Sequence, residues 1–225
     1  MRTTTLIMGL LIGPLLGCNS TNQEAKITPT PEVSKSPQSS PLPQATQPTE
    51  SQVRQKQSIA QAAKLTPEQV EQLESLKQNN PQAATFKVVV PTYIPDGFQV
   101  ELLEAEVLEA DAIDQNGAVV YNLVYRNPNN VCFSIHSSSS NNWQDSFTSD
   151  YKTVEVNSET LGKVVLNHTD FDGFTQGPYI GFKKPILQRN QRYAFESGSG
   201  IFCNSDSISI EEAVKVVESL KYLNP

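Results

Sequence analysis

Residues 118–137, AVVYNLVYRNPNNVCFSIHS, decide the fold class. Two runs rich in β-branched and aromatic residues, 118–126 and 131–137, flank Asn127-Pro128-Asn129-Asn130. Asn and Pro in that order favour a tight turn, so the stretch reads as a hairpin. In the second run Val131, Phe133 and Ile135 fall on one side and Cys132, Ser134 and His136 on the other. This period of two marks a strand with one face on a core. Outward from the hairpin the pattern repeats. Strands are predicted at 85–90, 98–107, 152–157, 163–168, 179–183 and 192–197. Turn signals lie between them at Pro95-Asp96-Gly97, Gln115-Asn116-Gly117 and Asp172-Gly173. No helix-length segment separates these strands, so the sheet is expected to be mostly antiparallel.

The chain closes on a helix signal. Ser209 at N-cap with Glu212 three residues into the helix is a capping box. Ile210, Ala213, Val214, Val217, Leu220 and Leu223 form one apolar stripe, which predicts a helix running to Asn224-Pro225. A curved antiparallel sheet with this helix packed on one face hides both apolar surfaces. The expected class is α+β, with residues 85–225 as the globular domain.

Upstream, residues 53–80 read as a helical spacer. Thr66-Pro67-Glu68-Gln69 is a second capping box with Pro at the first helical position, and a shorter helix is expected over 58–64. The spacer either lies on the domain or docks a partner. Residues 18–52 are rich in Pro, Ser, Thr and Gln and carry no aromatic residue. Such a stretch cannot bury enough apolar area to offset its ordering entropy, so a disordered tether is expected. It spans roughly 30 Å as a coil and on the order of 100 Å extended.

The first seventeen residues have the form of a signal peptide. A basic start, Met1-Arg2, precedes the apolar run 6–16, LIMGLLIGPLL, which is too short to span a bilayer and is interrupted by Pro14. The run ends Leu15-Leu16-Gly17-Cys18. This resembles the lipobox of bacterial lipoproteins. The resemblance implies cleavage between Gly17 and Cys18 and a diacylglycerol on the Cys18 thiol. It places the chain in the cell envelope, anchored by lipid on the extracytoplasmic face of a membrane. Asn19, where Asp would signal inner-membrane retention, favours the outer membrane in a host that has one. The alternatives are an ordinary signal peptide with an incidental Cys, or an uncleaved anchor.

Pro91-Thr92-Tyr93-Ile94-Pro95-Asp96-Gly97-Phe98 resembles the Pro-x-Tyr-Leu-Pro-Glu-Gly-Tyr opening of uncharacterised bacterial extracytoplasmic sheet domains. These also end in a helix with a Ser-Leu pair, as in Glu218-Ser219-Leu220. The resemblance implies an α+β sheet domain and supplies no catalytic residues.

Three cysteines are present. With Cys18 lipidated, Cys132 and Cys203 remain, and outside the cytosol such a pair is expected to form a disulfide. Two buried thiols or a redox pair are the alternatives, and the latter lacks the Cys-x-x-Cys spacing.

Composition bounds the partners. Against 24 acidic residues stand 17 basic ones, a net charge of −7. Nucleic acid is excluded as a partner, because its phosphates demand a basic face. His136 beside Ser134 and Ser137 suggests a Ser/His nucleophile, but no Gly-x-Ser-x-Gly elbow accompanies it. His168, Asp170 and Asp172 alternate as metal ligands would, and equally as the solvent side of a strand. Lys183, Lys184, Arg189 and Arg192 form a positive patch that suits anionic headgroups or cell-wall polymer, or simply keeps a hairpin soluble. Trp143 could stack on a sugar or cover a core edge. From these weak signals no catalytic residue, metal or cofactor is expected. The function expected is a monomeric, non-enzymatic binding or structural module contacting an envelope protein or the cell wall. The alternatives are a carrier or sensor of a hydrophobic ligand held between sheet and helix, and an envelope hydrolase.

Overall fold

The computed structural model describes residues 49–78, 85–109, 118–140, 151–170 and 177–223. All belong to one compact unit, Thr46–Pro225. The expected signal peptide, Cys18 and most of the expected tether lie outside the described residues, as do Trp143, Asp172 and Gly173.

The fold is α+β. Strands β2 (Gln99–Leu108), β3 (Ala118–Arg126), β4 (Val131–Ser138), β5 (Lys152–Ser158), β6 (Gly162–Thr169), β7 (Tyr179–Phe182), β8 (Ile186–Gln188), β9 (Gln191–Gly198) and β10 (Asp206–Ser207) make one sheet. Its order is β2-β3-β4-β9-β7-β6-β5, with β8 beside β9 and β10 beside β4. All pairs are antiparallel except β10 with β4. The hairpin that opened the sequence reading forms, with Arg126 opposite Cys132.

The alternation within that hairpin sets the two faces. Phe133 and Ile135 of β4, Tyr121, Leu123 and Tyr125 of β3, and Tyr193 and Phe195 of β9 bury into the main core. Phe133 lies against Tyr125, ring centroids 4.8 Å apart and nearly parallel, and against Phe98 at 5.5 Å. Burying aromatic faces in this way contributes packing energy beyond the area removed from water.

Three helices join the same core. Helix α1 (Glu50–Ala62) and helix α2 (Pro67–Gln78) form a hairpin, and Ala60, Ala63, Leu65, Leu73 and Leu76 are core residues. The spacer is therefore a layer of the domain. The buried Tyr125 hydroxyl donates to the Ala63 carbonyl at 2.8 Å, and Lys64 Nζ donates to the Phe98 carbonyl at 2.7 Å. The Thr66–Gln69 capping box forms in both directions. Helix α1 starts three residues inside the expected tether, eight residues before the short helix expected over 58–64, and ends two residues before that helix would. A further capping contact explains the early start: the Thr49 N–H donates to Gln52 Oε1 at 2.9 Å.

Helix α3 (Ile210–Glu218) starts as expected, with the Glu212 N–H donating to Ser209 Oγ. It stops sooner than the apolar stripe predicts. Strand β11 (Leu220–Tyr222) follows and pairs antiparallel with β1 (Val89–Pro91). Leu220 and Leu223 remain in the core. Their spacing of three suits a helix, but the backbone bonds go to β1, and the Leu223 N–H donates to the Val88 carbonyl. Strand β1 is correspondingly shorter than the predicted 85–90. The segment before it lies across the sheet's core face, where side chains satisfy its backbone. Gln191 bonds both the N–H and the carbonyl of Lys87, and Tyr193 Oη also donates to that carbonyl. Tyr121 Oη accepts from the Val89 N–H and donates to the Val89 carbonyl, each at 3.0 Å.

The two segments that carry the family resemblance meet here. The Thr92 and Tyr93 N–H groups both donate to Ser219 Oγ, Thr92 Oγ1 donates to the Ser219 carbonyl, and Tyr93 Oη donates to Glu212 at 2.6 Å. Their role in this chain is a clamp between the domain's opening loop and α3.

Candidate functional site

The second sheet face carries the other half of the alternation: Asn122 from β3, Cys132, Ser134, His136 and Ser138 from β4, and Glu196 from β9. All are buried. Polar side chains on a sheet face normally meet water. Part of their cover is the segment 199–205, a flap folded back over the face.

Cross-links from the sheet pin this flap. Cys203 is disulfide-bonded to Cys132, with Cα atoms 5.5 Å apart. Arg126 donates to the Cys203 carbonyl at 3.1 Å and is itself held by Glu101 at 2.6 Å. Glu196 Oε1 accepts the Phe202 N–H at 2.7 Å. The Ile201 N–H also serves this carboxylate. Burial raises the Glu196 pKa, and these donors oppose the rise. Beyond the flap, Ser197 ties the returning chain to the sheet, donating to the Cys132 carbonyl at 2.6 Å and accepting from the Ile208 N–H at 3.0 Å.

Two glycines permit the fold-back. Gly198 has φ +87°, and a Cβ there would lie 2.1 Å from the Pro178 carbonyl oxygen. A Cβ on Gly200 would lie 2.5 Å from the Glu196 carboxyl carbon. Gly198-Ser199-Gly200 is thus a required close approach and not only a flexible turn.

Flap and sheet enclose a half-open cavity of about 330 Å³. Val120, Ile201 and Phe202 give it a largely apolar wall, Asn122 and His136 lie along its floor, and Glu104 and Glu106 stand at its β2 side. Ile201 is 86% exposed at the mouth. The His136 ring lies 4.9 Å from the Phe202 ring, and burial pushes its pKa down from 6.5 to about 3, so the imidazole is neutral. The space between sheet and α3 is filled by core side chains, among them Phe195, Leu166, Val216 and Val217.

The remaining candidates scatter. His168 sits half-buried near the end of β6, opposite Lys152 and Ile180, with Asp170 exposed just beyond the strand. Among the described residues no three His, Cys, Asp or Glu side chains gather as metal ligands. Ser134, His136 and Ser138 share the second sheet face, but the buried carboxylate there, Glu196, is committed to the flap backbone. Lys183 and Lys184 are exposed between β7 and β8, Arg189 is exposed in the β8–β9 turn, and Arg192 is half-buried on β9. The sequence reading missed Glu104, Glu106, Asn122 and Glu196. The legible signal was the paired glycines beside a cysteine, which mark a backbone pressed against something. Comparison of the chain with protein-family models, with curated proteins and with solved structures gives no match.

Proposed function

We propose that this chain is a lipid-anchored protein of the bacterial cell envelope. Its sheet domain is a non-enzymatic binding module whose seat is the cavity under the flap. The single observation that carries the seat is the flap's construction. A disulfide, a buried carboxylate and two glycines hold an apolar edge, Ile201 and Phe202, open over a polar floor. A flap that served only to cover the sheet would bury its own isoleucine, because apolar area left in water forgoes about 25 cal/mol per Å². The address rests on Leu15-Leu16-Gly17-Cys18, and the Cys132–Cys203 bridge suits an oxidising compartment.

Two measurements test the two halves. Labelled palmitate enters the wild-type chain and not Cys18→Ser; equal labelling refutes the anchor. A photoreactive side chain at position 201 captures an envelope component in intact cells, while one at exposed Gln55 on α1 does not. Identical capture at both positions refutes the seat.

A further inference from the structure

We propose that the cavity under the flap takes a small organic cation, an ammonium carried on a flat or aliphatic apolar body. This rests on the cavity being the binding seat and adds the chemistry of its occupant.

The charge of the lining is one-sided. Glu104 and Glu106 are the only charged side chains facing the cavity among the described residues. They alternate on β2 and so project from the same face of the strand. Both are exposed, and among the described residues neither pairs with a cation; the neighbouring Arg126 is bound to Glu101 instead. The floor adds acceptor capacity. Asn122 is 5% exposed, and its Nδ2 donates to Glu104 Oε2 at 3.4 Å. A carboxylate only accepts, so this contact orients the amide and leaves Oδ1 as the side-chain atom without a donor. A buried amide oxygen left unpaired is costly, and a ligand N–H that reaches it recovers that cost. The neutral His136 adds no positive charge to compete with a bound cation.

The apolar half of the ligand follows from the opposite wall. Phe202, Ile201 and Val120 line it. The Glu196 and disulfide anchorage stops the flap collapsing onto the sheet, so the site is formed before the ligand arrives. A neutral apolar ligand would fill the wall and leave Asn122 and the carboxylates unanswered. An anion would be repelled by Glu104 and Glu106.

Three probes of one shape separate these cases: tryptamine, its neutral alcohol tryptophol, and anionic indole-3-acetate. Binding to the full-length chain in detergent is measured by equilibrium dialysis against protein-free micelles. Tryptamine binds, and the alcohol and acid bind at least about tenfold more weakly. In the Glu104→Gln/Glu106→Gln variant the amine loses this advantage while the urea unfolding midpoint stays in place. Equal binding of amine and alcohol, lost in Phe202→Ala, overturns the cation and leaves the seat. Binding of none of the three at millimolar concentration overturns both. An amine affinity unmoved by the double Gln variant also overturns the cation assignment.

Discussion

Acid should weaken this domain through one side chain. His136 is 6% exposed on the sheet's second face, and burial lowers its pKa from 6.5 to about 3. A histidine whose folded pKa lies below its unfolded one binds fewer protons in the folded state. Its contribution is therefore fully present above pH 6.5 and is lost as the pH falls toward 3. Between those limits the unfolded chain carries about one extra proton, worth about 1.4 kcal/mol per pH unit. By pH 4 His136 alone withdraws about 3 kcal/mol, a large part of the 5–15 kcal/mol typical of a domain. Glu196 acts in the opposite sense, since burial raises its pKa and the protonated carboxyl favours the folded state as the pH falls. The test is therefore a difference. Urea unfolding of the wild type and of His136→Gln is followed from pH 7 to pH 4. The variant is less stable at pH 7, where a fitted side chain is lost, but its stability falls less steeply with acid. The two curves converge by about 3 kcal/mol over that range. Parallel curves would refute the buried neutral imidazole.

Other perturbations reach the remaining contacts. Replacing both Cys132 and Cys203 by Ala frees a loop of 71 residues and should cost about 4 kcal/mol, read as a lower urea midpoint with the helical circular dichroism retained. Tyr125→Phe leaves the Ala63 carbonyl without its buried donor; a loss of about 1–2 kcal/mol is expected, with faster hydrogen exchange confined to α1 and α2. Gly198→Ala places a Cβ on the Pro178 carbonyl at positive φ and should cost more than about 2 kcal/mol, whereas Ser205→Ala, at a half-buried position farther along the flap, stays within about 0.5 kcal/mol by thermal unfolding.

Much of the sheet was legible because period two is a local signal. Residues 118–126 and 131–137 announce both strands, their turn and the burial of Phe133 and Ile135. The cysteine pairing was legible by elimination, once Cys18 is set aside for lipid. What resisted reading was long-range. Leu220 and Leu223 carry helical spacing, and only the presence of Val89–Pro91 alongside turns that segment into a strand. Residues 85–88 look like a strand but lie across the sheet, because Gln191 and Tyr193 supply side-chain partners to Lys87 that no local pattern reveals. The cavity was hidden for the same reason. Glu104, Asn122 and Phe202 come from three separate segments, and their meeting depends on strand order and on the flap.

The clamp between Thr92 and Ser219 joins residues 127 apart in the chain. During vectorial synthesis the opening loop emerges long before its partner. Until Ser219 and β11 arrive, the β1 edge, the Tyr93 hydroxyl and the core face beneath α3 stand bare. A nascent chain stalled anywhere earlier therefore leaves core apolar residues such as Val88, Val89 and Val90 in water, and the domain closes only when both ends of the clamp are present.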